Sequence, residues 1–173
     1  MQQMLEWLRT LALRWDTDCT DFLMCEPDVG GHRHWVRVPD CQALLAARPL
    51  AAVGFFGQAR DDVDQLPIHE LEAGIVDTLA TITGVLCYYD LALAEGGYGN
   101  LILCADADAP RNTHGHALHR RAVQLTPSHY HSVRLHTGVV PGAFIGDARL
   151  VIERTRYYDY DSEPPWLAVR DLT

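Results

Sequence analysis

Between residues 51 and 140 the apolar residues alternate between the two-residue repeat of a strand and the 3.6-residue repeat of a helix. That succession is what most limits the possible folds. Ala51–Arg60, Ala-Ala-Val-Gly-Phe-Phe-Gly-Gln-Ala-Arg, reads as a strand. Asp64–Ile82 reads as a helix, with Pro67 near its start and Ile68, Leu71, Ile75, Val76 and Leu79 as its apolar stripe. Gly84 ends it. Val85–Ala94 and Tyr98–Ala105 are two strands joined by the turn residues Glu95-Gly96-Gly97. A second helix is expected over Thr113–Leu125, with Leu118, Ala122 and Leu125 on one face and Pro127 as its stop. A strand over Tyr130–Val140 closes the series at Pro141-Gly142.

Strand, helix, strand, strand, helix, strand is the split βαβ order. It predicts an α+β fold with a ferredoxin-like βαββαβ core and an antiparallel sheet. The helices would cover one face of that sheet and leave the other to be buried by something else. The flanks add to this core. Met4, Leu5, Leu8, Leu11, Ala12 and Trp15 recur at helical spacing. Phe22–Glu26 and His32–Val38 read as short strands around the turn-rich Pro27-Asp28-Val29-Gly30-Gly31. Asp40 can cap a short helix running to Arg48. Arg149–Asp159 reads as a last strand, and the tail after Ser162, with Pro164-Pro165-Trp166, as irregular. The 173 residues fit one domain: a helix and hairpin extension (1–49), the core (50–141), and a C-terminal strand and tail (142–173).

The net charge of −9 argues against binding to nucleic acid or anionic lipid, both of which need a basic surface. The chain has no lysine and no basic run. No apolar stretch is long enough to span a bilayer. Met1–Trp15 is apolar, but it lacks the basic start and small-residue cleavage site of a signal peptide. The five cysteines are widely spaced and read as reduced thiols, with Cys87 and Cys104 acting as small hydrophobes inside apolar runs. The expectation is a soluble, cytoplasmic protein.

Three segments together resemble the dimeric α+β barrel superfamily: Val53-Gly-Phe-Phe-Gly-Gln58, the hairpin Tyr88-Tyr89-Asp90…Gly97-Tyr98-Gly99-Asn100, and the helix His116-Ala-Leu-His-Arg-Arg-Ala122 leading into the last strand. That superfamily includes antibiotic-biosynthesis-type monooxygenases, haem-degrading proteins and chlorite-dismutase-like proteins. The resemblance covers roughly half of the chain. It implies a homodimer whose paired sheets enclose a small-molecule cavity, and oxidation or isomerisation of a small organic substrate without a tightly bound cofactor. The flanking segments have no place in the minimal pattern.

Strand alternation then nominates residues. Val133 and Leu135 share a face and should pack under the helices, so Arg134 and His136 should face the cavity. Tyr88 and Asn100 belong to the neighbouring hairpin. Arg134 could stabilise developing negative charge and His136 could move a proton, with Tyr88 and Asn100 completing the set. The competing reading is an interface ion pair between Arg134, His136 and carboxylates. Six of the nine histidines lie between His114 and His136. His116 and His119 share a helix face, and His129 and His131 would point the same way if extended. These four are the candidate ligands for a transition metal or haem, against the alternative of a solvated helix start and loop. Tyr157, Tyr158 and Tyr160 with Arg154 and Arg156 suit a subunit interface. The sequence leaves open an enzyme, a metal or haem protein, and a non-enzymatic assembly module.

Overall fold

The computed structural model describes residues 1–15, 19–27, 32–93 and 96–172, and for Pro27, Thr113 and His114 the backbone alone. Eight strands form one antiparallel sheet: β1 (Phe22–Pro27), β2 (Arg33–Val38), β3 (Leu50–Ala59), β4 (Val85–Ala92), β5 (Gly97–Cys104), β6 (Tyr130–Val140), β7 (Val151–Asp159) and β8 (Trp166–Asp171). Their order across the sheet is β1-β2-β4-β5-β3-β6-β7-β8. The described helices are α1 (Gln2–Ala12), α2 (Cys41–Ala46), α3 (Leu66–Thr78), α4 (Ala109–Gly115) and α5 (Ala117–His129), with a 3-10 turn at Leu79–Thr81. The fold is thus α+β. β3 is central, flanked by β5 on one side and β6 on the other.

α3 and α5 pack beside each other on one face of the sheet. Ile75, Val76 and Leu79 pack with Val85, Tyr88 and Cys104, and Leu118 and Ala122 join them from α5. Ile68 packs with Tyr130 and Val133 at the other end of the same face. The opposite face is not open. Met4, Leu5, Leu8 and Ala12 of α1 pack there on Val36, Tyr89, Leu101, Leu103, Leu50 and Ala52, with Leu44 of α2 and Phe144. Leu5 and Leu8 are fully buried, and each such side chain is worth about 1.5–3 kcal/mol. Arg9 fastens this layer: its Nε and Nη2 donate to the carbonyls of Phe144 and Ala148 at 2.6 and 2.8 Å. The face expected to line a ligand cavity is therefore filled over its central strands by the chain's own amphipathic N-terminal helix.

Several local expectations change. The helix expected over Thr113–Leu125 is two helices, broken where His116 takes an extended backbone after Gly115. Pro127 does not stop α5, which runs on to His129. The carbonyl of Leu125 accepts from Ser128 Oγ and His129 Nδ1, both at 2.9 Å, so side chains satisfy the final turn. The tail after Ser162 is not irregular. Pro164-Pro165 only precede β8, which pairs along β7. The short helix after Asp40 ends at Ala46, and Asp40 caps it by accepting from the Ala43 N–H at 2.9 Å. The helix expected over Asp64–Ile82 is α3, which stops at Thr78, and a 3-10 turn; Gly84, with φ +86°, lies beyond both, where a backbone of that kind suits glycine. Most of the turn expected after Pro27, and Glu95 of the β4–β5 turn, lie outside the described residues.

The thiols also depart from expectation. Cys19 and Cys41 form a disulfide with an S–S distance of 2.09 Å, closing a 22-residue separation. Cys87 and Cys104 are free and buried, as small hydrophobes should be, and Cys25 is free and exposed. No described helix is long and apolar enough to cross a membrane.

Candidate functional site

The sheet separates the four residues first nominated as one site. Arg134 pairs with Phe56 and His136 with Gly54, on the α1 side. Asn100 pairs with Phe55 and Asp90, and Tyr88 with Ile102, on the α3/α5 side. Alternation within β6 was read correctly, since Val133 and Leu135 do pack under the helices. Arg134 is exposed, with its guanidinium 5.6 Å from the centre of the Tyr157 ring. His136 is half-buried, its Nδ1 2.8 Å from Thr155 Oγ1 and its ring edge-on to Phe56. Burial lowers its pKa, and the positive chain terminus and Arg134 lower it further. The pair lies on β6, and the four side chains do not surround one ligand.

Tyr88 and Asn100 belong to a different group. Tyr88 OH donates to Glu72 Oε1 at 2.5 Å, and Asn100 Nδ2 donates to Tyr88 OH at 3.3 Å. Asn100 Oδ1 accepts the Phe55 N–H at 3.2 Å, which holds the amide in place. Glu72, from the middle of α3, is also hydrogen-bonded to Asp90, which is only 9 % exposed on β4. Two carboxyl groups joined by a hydrogen bond must share a proton. Burial first, then the charge of Glu72, raises the Asp90 pKa to about 8, with Arg33 and the Leu91 N–H acting against the rise. The pair therefore keeps a proton into the neutral range. Burial and the same two carboxylates push Tyr88 well above the usual phenol value.

The group continues toward the sheet end. Tyr98 OH lies 3.2 Å from His69 Nε2, on the first turn of α3, with the two rings edge to face. Burial raises the Tyr98 pKa, and Asp90 and Glu72 add to the rise. Tyr98 also lines an open depression of about 560 Å³, together with Gln58, Arg60, Gln65 and His131. Arg60 Nη2 is 2.7 Å from Asp161 Oδ1, and His131 Nδ1 is 2.9 Å from Asp161 Oδ2. Gln65 Nε2 donates to the carbonyls of Arg60 and His129 at 2.9 and 3.1 Å and so ties the start of α3 to the residue after β3 and to the end of α5. Those carbonyls fix which end is nitrogen, and they leave Gln65 Oε1 a buried acceptor with no hydrogen-bond partner among the described residues.

Glu72 and Asp90 were missed as functional candidates. Glu72 stands four residues after Ile68 and three before Ile75, on the apolar stripe of α3, and Asp90 ends a run of buried residues in β4. A carboxylate on an apolar stripe was the available signal. A bulge between Val85 and Cys87 also moves Leu86 to the α1 side, away from the face of Tyr88 and Asp90 on which alternation had put it.

The histidine cluster does not assemble. His116 precedes the first residue of α5 and His129 is its last, about 20 Å apart along the helix. His129 is buried and donates to its own helix, and His131 is taken up with Asp161. Among the described residues no three His, Cys, Asp or Glu side chains come together as a metal-binding set. His119 sits in the first turn of α5, and the side chain of His114 lies outside the described residues. Neither a protein-family model, nor a curated protein, nor a solved structure matches this chain, so its function is argued from its own residues.

Proposed function

We propose that the protein binds a small organic molecule in the depression at the ends of β3, β5 and β6, and transfers a proton to or from it. The observation that carries this reading is the hydrogen-bonded Glu72–Asp90 pair, whose proton is held to about pH 8 behind the Tyr98–His69 couple that reaches the depression. A buried carboxyl kept neutral at physiological pH is a proton reservoir, and a phenol beside an imidazole is a relay. Of the two reaction classes the resemblance implies, isomerisation is the one these groups serve, because they offer proton transfer.

The strand order β4-β5-β3-β6, with α3 and α5 on one face, supports a ferredoxin-like core and, through it, the likeness to dimeric α+β barrels. A homodimer is supported by the outer strand β8, where Trp166, Leu167 and Val169 are each about half exposed beside an unpaired edge. A cytoplasmic location has the Cys19–Cys41 disulfide against it, since such bonds persist in oxidising compartments.

The test is carboxyl-carbon NMR of Asp90 during a pH titration, repeated with a library of small organic compounds. The reading expects Asp90 to titrate near 8, and compounds that shift the Tyr98 and His69 resonances to move that value. An Asp90 titrating in the ordinary carboxylate range, or compounds binding only on the α1 face, would remove its basis.

A further inference from the structure

We propose that Arg60 and His131 form an oxyanion subsite of the depression, and that Asp161 is an internal counter-ion which yields to a ligand's carboxylate or phosphate. The proposal rests on the reading of the depression as the ligand site and names what that ligand carries. Arg60 and His131 both line the depression, whereas Asp161 does not. Asp161 instead reaches the pair from the turn after β7. Its own N–H and that of Ser162 are held by Asp159 Oδ1 at 2.9 and 3.3 Å, and the N–H of Tyr160 donates to the His131 carbonyl at 2.9 Å. The turn is thus fastened to β6, and its carboxylate spans the Arg60 guanidinium and the His131 imidazole.

The construction favours exchange over a permanent bridge. Asp161 is half exposed, while the Arg60 side chain is mostly buried at 20 % exposure. The guanidinium is anchored and the carboxylate that neutralises it stands in solvent. An exposed ion pair is worth little, so a competing anion that gains two donors and contacts within a concave surface can displace it. Burial pushes the Asp161 pKa up, and hydrogen bonds from His131 and Arg60 override this and hold it below the usual carboxylate value. An anion seated there would lie on the side of the depression away from the Glu72–Asp90 pair, with Tyr98 between them. A small organic acid or phosphate ester would then place its neighbouring carbon toward the Tyr98 hydroxyl.

The test uses sodium phosphate and sodium acetate as probes, with binding read by titration calorimetry and by the His131 ring resonances of the full chain. Wild type is expected to bind at least one of the two with a shift at His131. Asp161→Asn should bind the same probe roughly two- to five-fold tighter, as loss of an exposed competing ion pair allows. Arg60→Gln should weaken binding by about ten-fold or more. His131→Asn, at a more exposed position, should also weaken it and guards against a folding defect in Arg60→Gln. The probe that binds more tightly names the oxyanion class. Failure of both probes to bind wild type and Asp161→Asn overturns the proposal, as does an Asp161→Asn affinity equal to or below wild type. Phosphate binding involves no proton transfer, so its failure leaves the Asp90 titration standing, and the reverse holds too.

Discussion

Replacing Asp90 by Asn should remove the pH dependence that this carboxyl imposes on stability. In the unfolded chain an aspartate titrates near 3.8; in the fold Asp90 holds its proton to about 8. Folding therefore takes up a proton between these values. The contribution of Asp90 is fully present below 3.8 and is lost as pH rises through 8. One proton changes the free energy of unfolding by about 1.4 kcal/mol per pH unit, so the whole window carries on the order of 5 kcal/mol. His136 works in the opposite sense: its lowered value makes stability rise with pH through the range just below 6.5. Between 6.5 and 8 the amino terminus, whose value burial lowers from 8.0, works in the same sense as His136, so the difference between wild type and the variant is what isolates Asp90. Urea unfolding at half-unit steps across that interval should show wild type losing stability as pH rises, and Asp90→Asn, which keeps the shape of the neutral acid, should show a flatter profile. The variant should overtake wild type at the alkaline end. Parallel slopes for the two proteins would refute both the shared proton and its assignment to Asp90.

Three further outcomes follow from other parts of the fold. Reducing Cys19–Cys41 should lower stability by about 3 kcal/mol, the chain-entropy value for a loop of this size, measured as the drop in urea midpoint with and without reductant. Arg9→Met removes two charge-assisted hydrogen bonds to the Phe144 and Ala148 carbonyls and should cost about 2–3 kcal/mol, with faster amide exchange in residues 141–150. Gly138→Ala should cost about 1–3 kcal/mol in thermal unfolding, because the added methyl meets the backbone of Val151 and Ile152 where β6 and β7 pair irregularly.

The elements between residues 51 and 140 were legible because each is set by its own local pattern. Tyr130–Val140 has the bounds expected for it, and Pro67 does sit at the start of α3. What local pattern cannot carry is the phase between strands. Alternation placed Arg134 and His136 together and Tyr88 and Asn100 on their own strands, but only register says which faces coincide. Register depends on pairing between residues dozens of positions apart and on the bulge at Leu86. The same blindness applied to Cys19 and Cys41, whose approach depends on where α2 lands, and to α5, where Ser128 and His129 satisfy a turn that Pro127 alone would have ended.

Which face of the sheet can work chemically follows from which one the N-terminal helix fills. α1 supplies only apolar side chains to the central strands, apart from Arg9, and Arg9 is spent on backbone carbonyls. That side is a mainly apolar core over β2, β4, β5 and β3, with the buried His34 hydrogen-bonded to Tyr89 OH at 2.6 Å under Trp7, and it leaves Arg134 and His136 at its margin. α3, by contrast, inserts Glu72 and His69 among its apolar residues, and the strands beneath it answer with Tyr88, Asp90, Tyr98 and Asn100. A buried carboxylate costs stability unless something holds its charge or its proton. Here the cost is met by sharing one proton between Glu72 and Asp90, an arrangement that an apolar pair of the same volume would replace without loss to packing. The carboxyl groups are thus the expensive choice, they are buried on the α3/α5 face, and that face opens at its end onto Arg60, His131 and the depression.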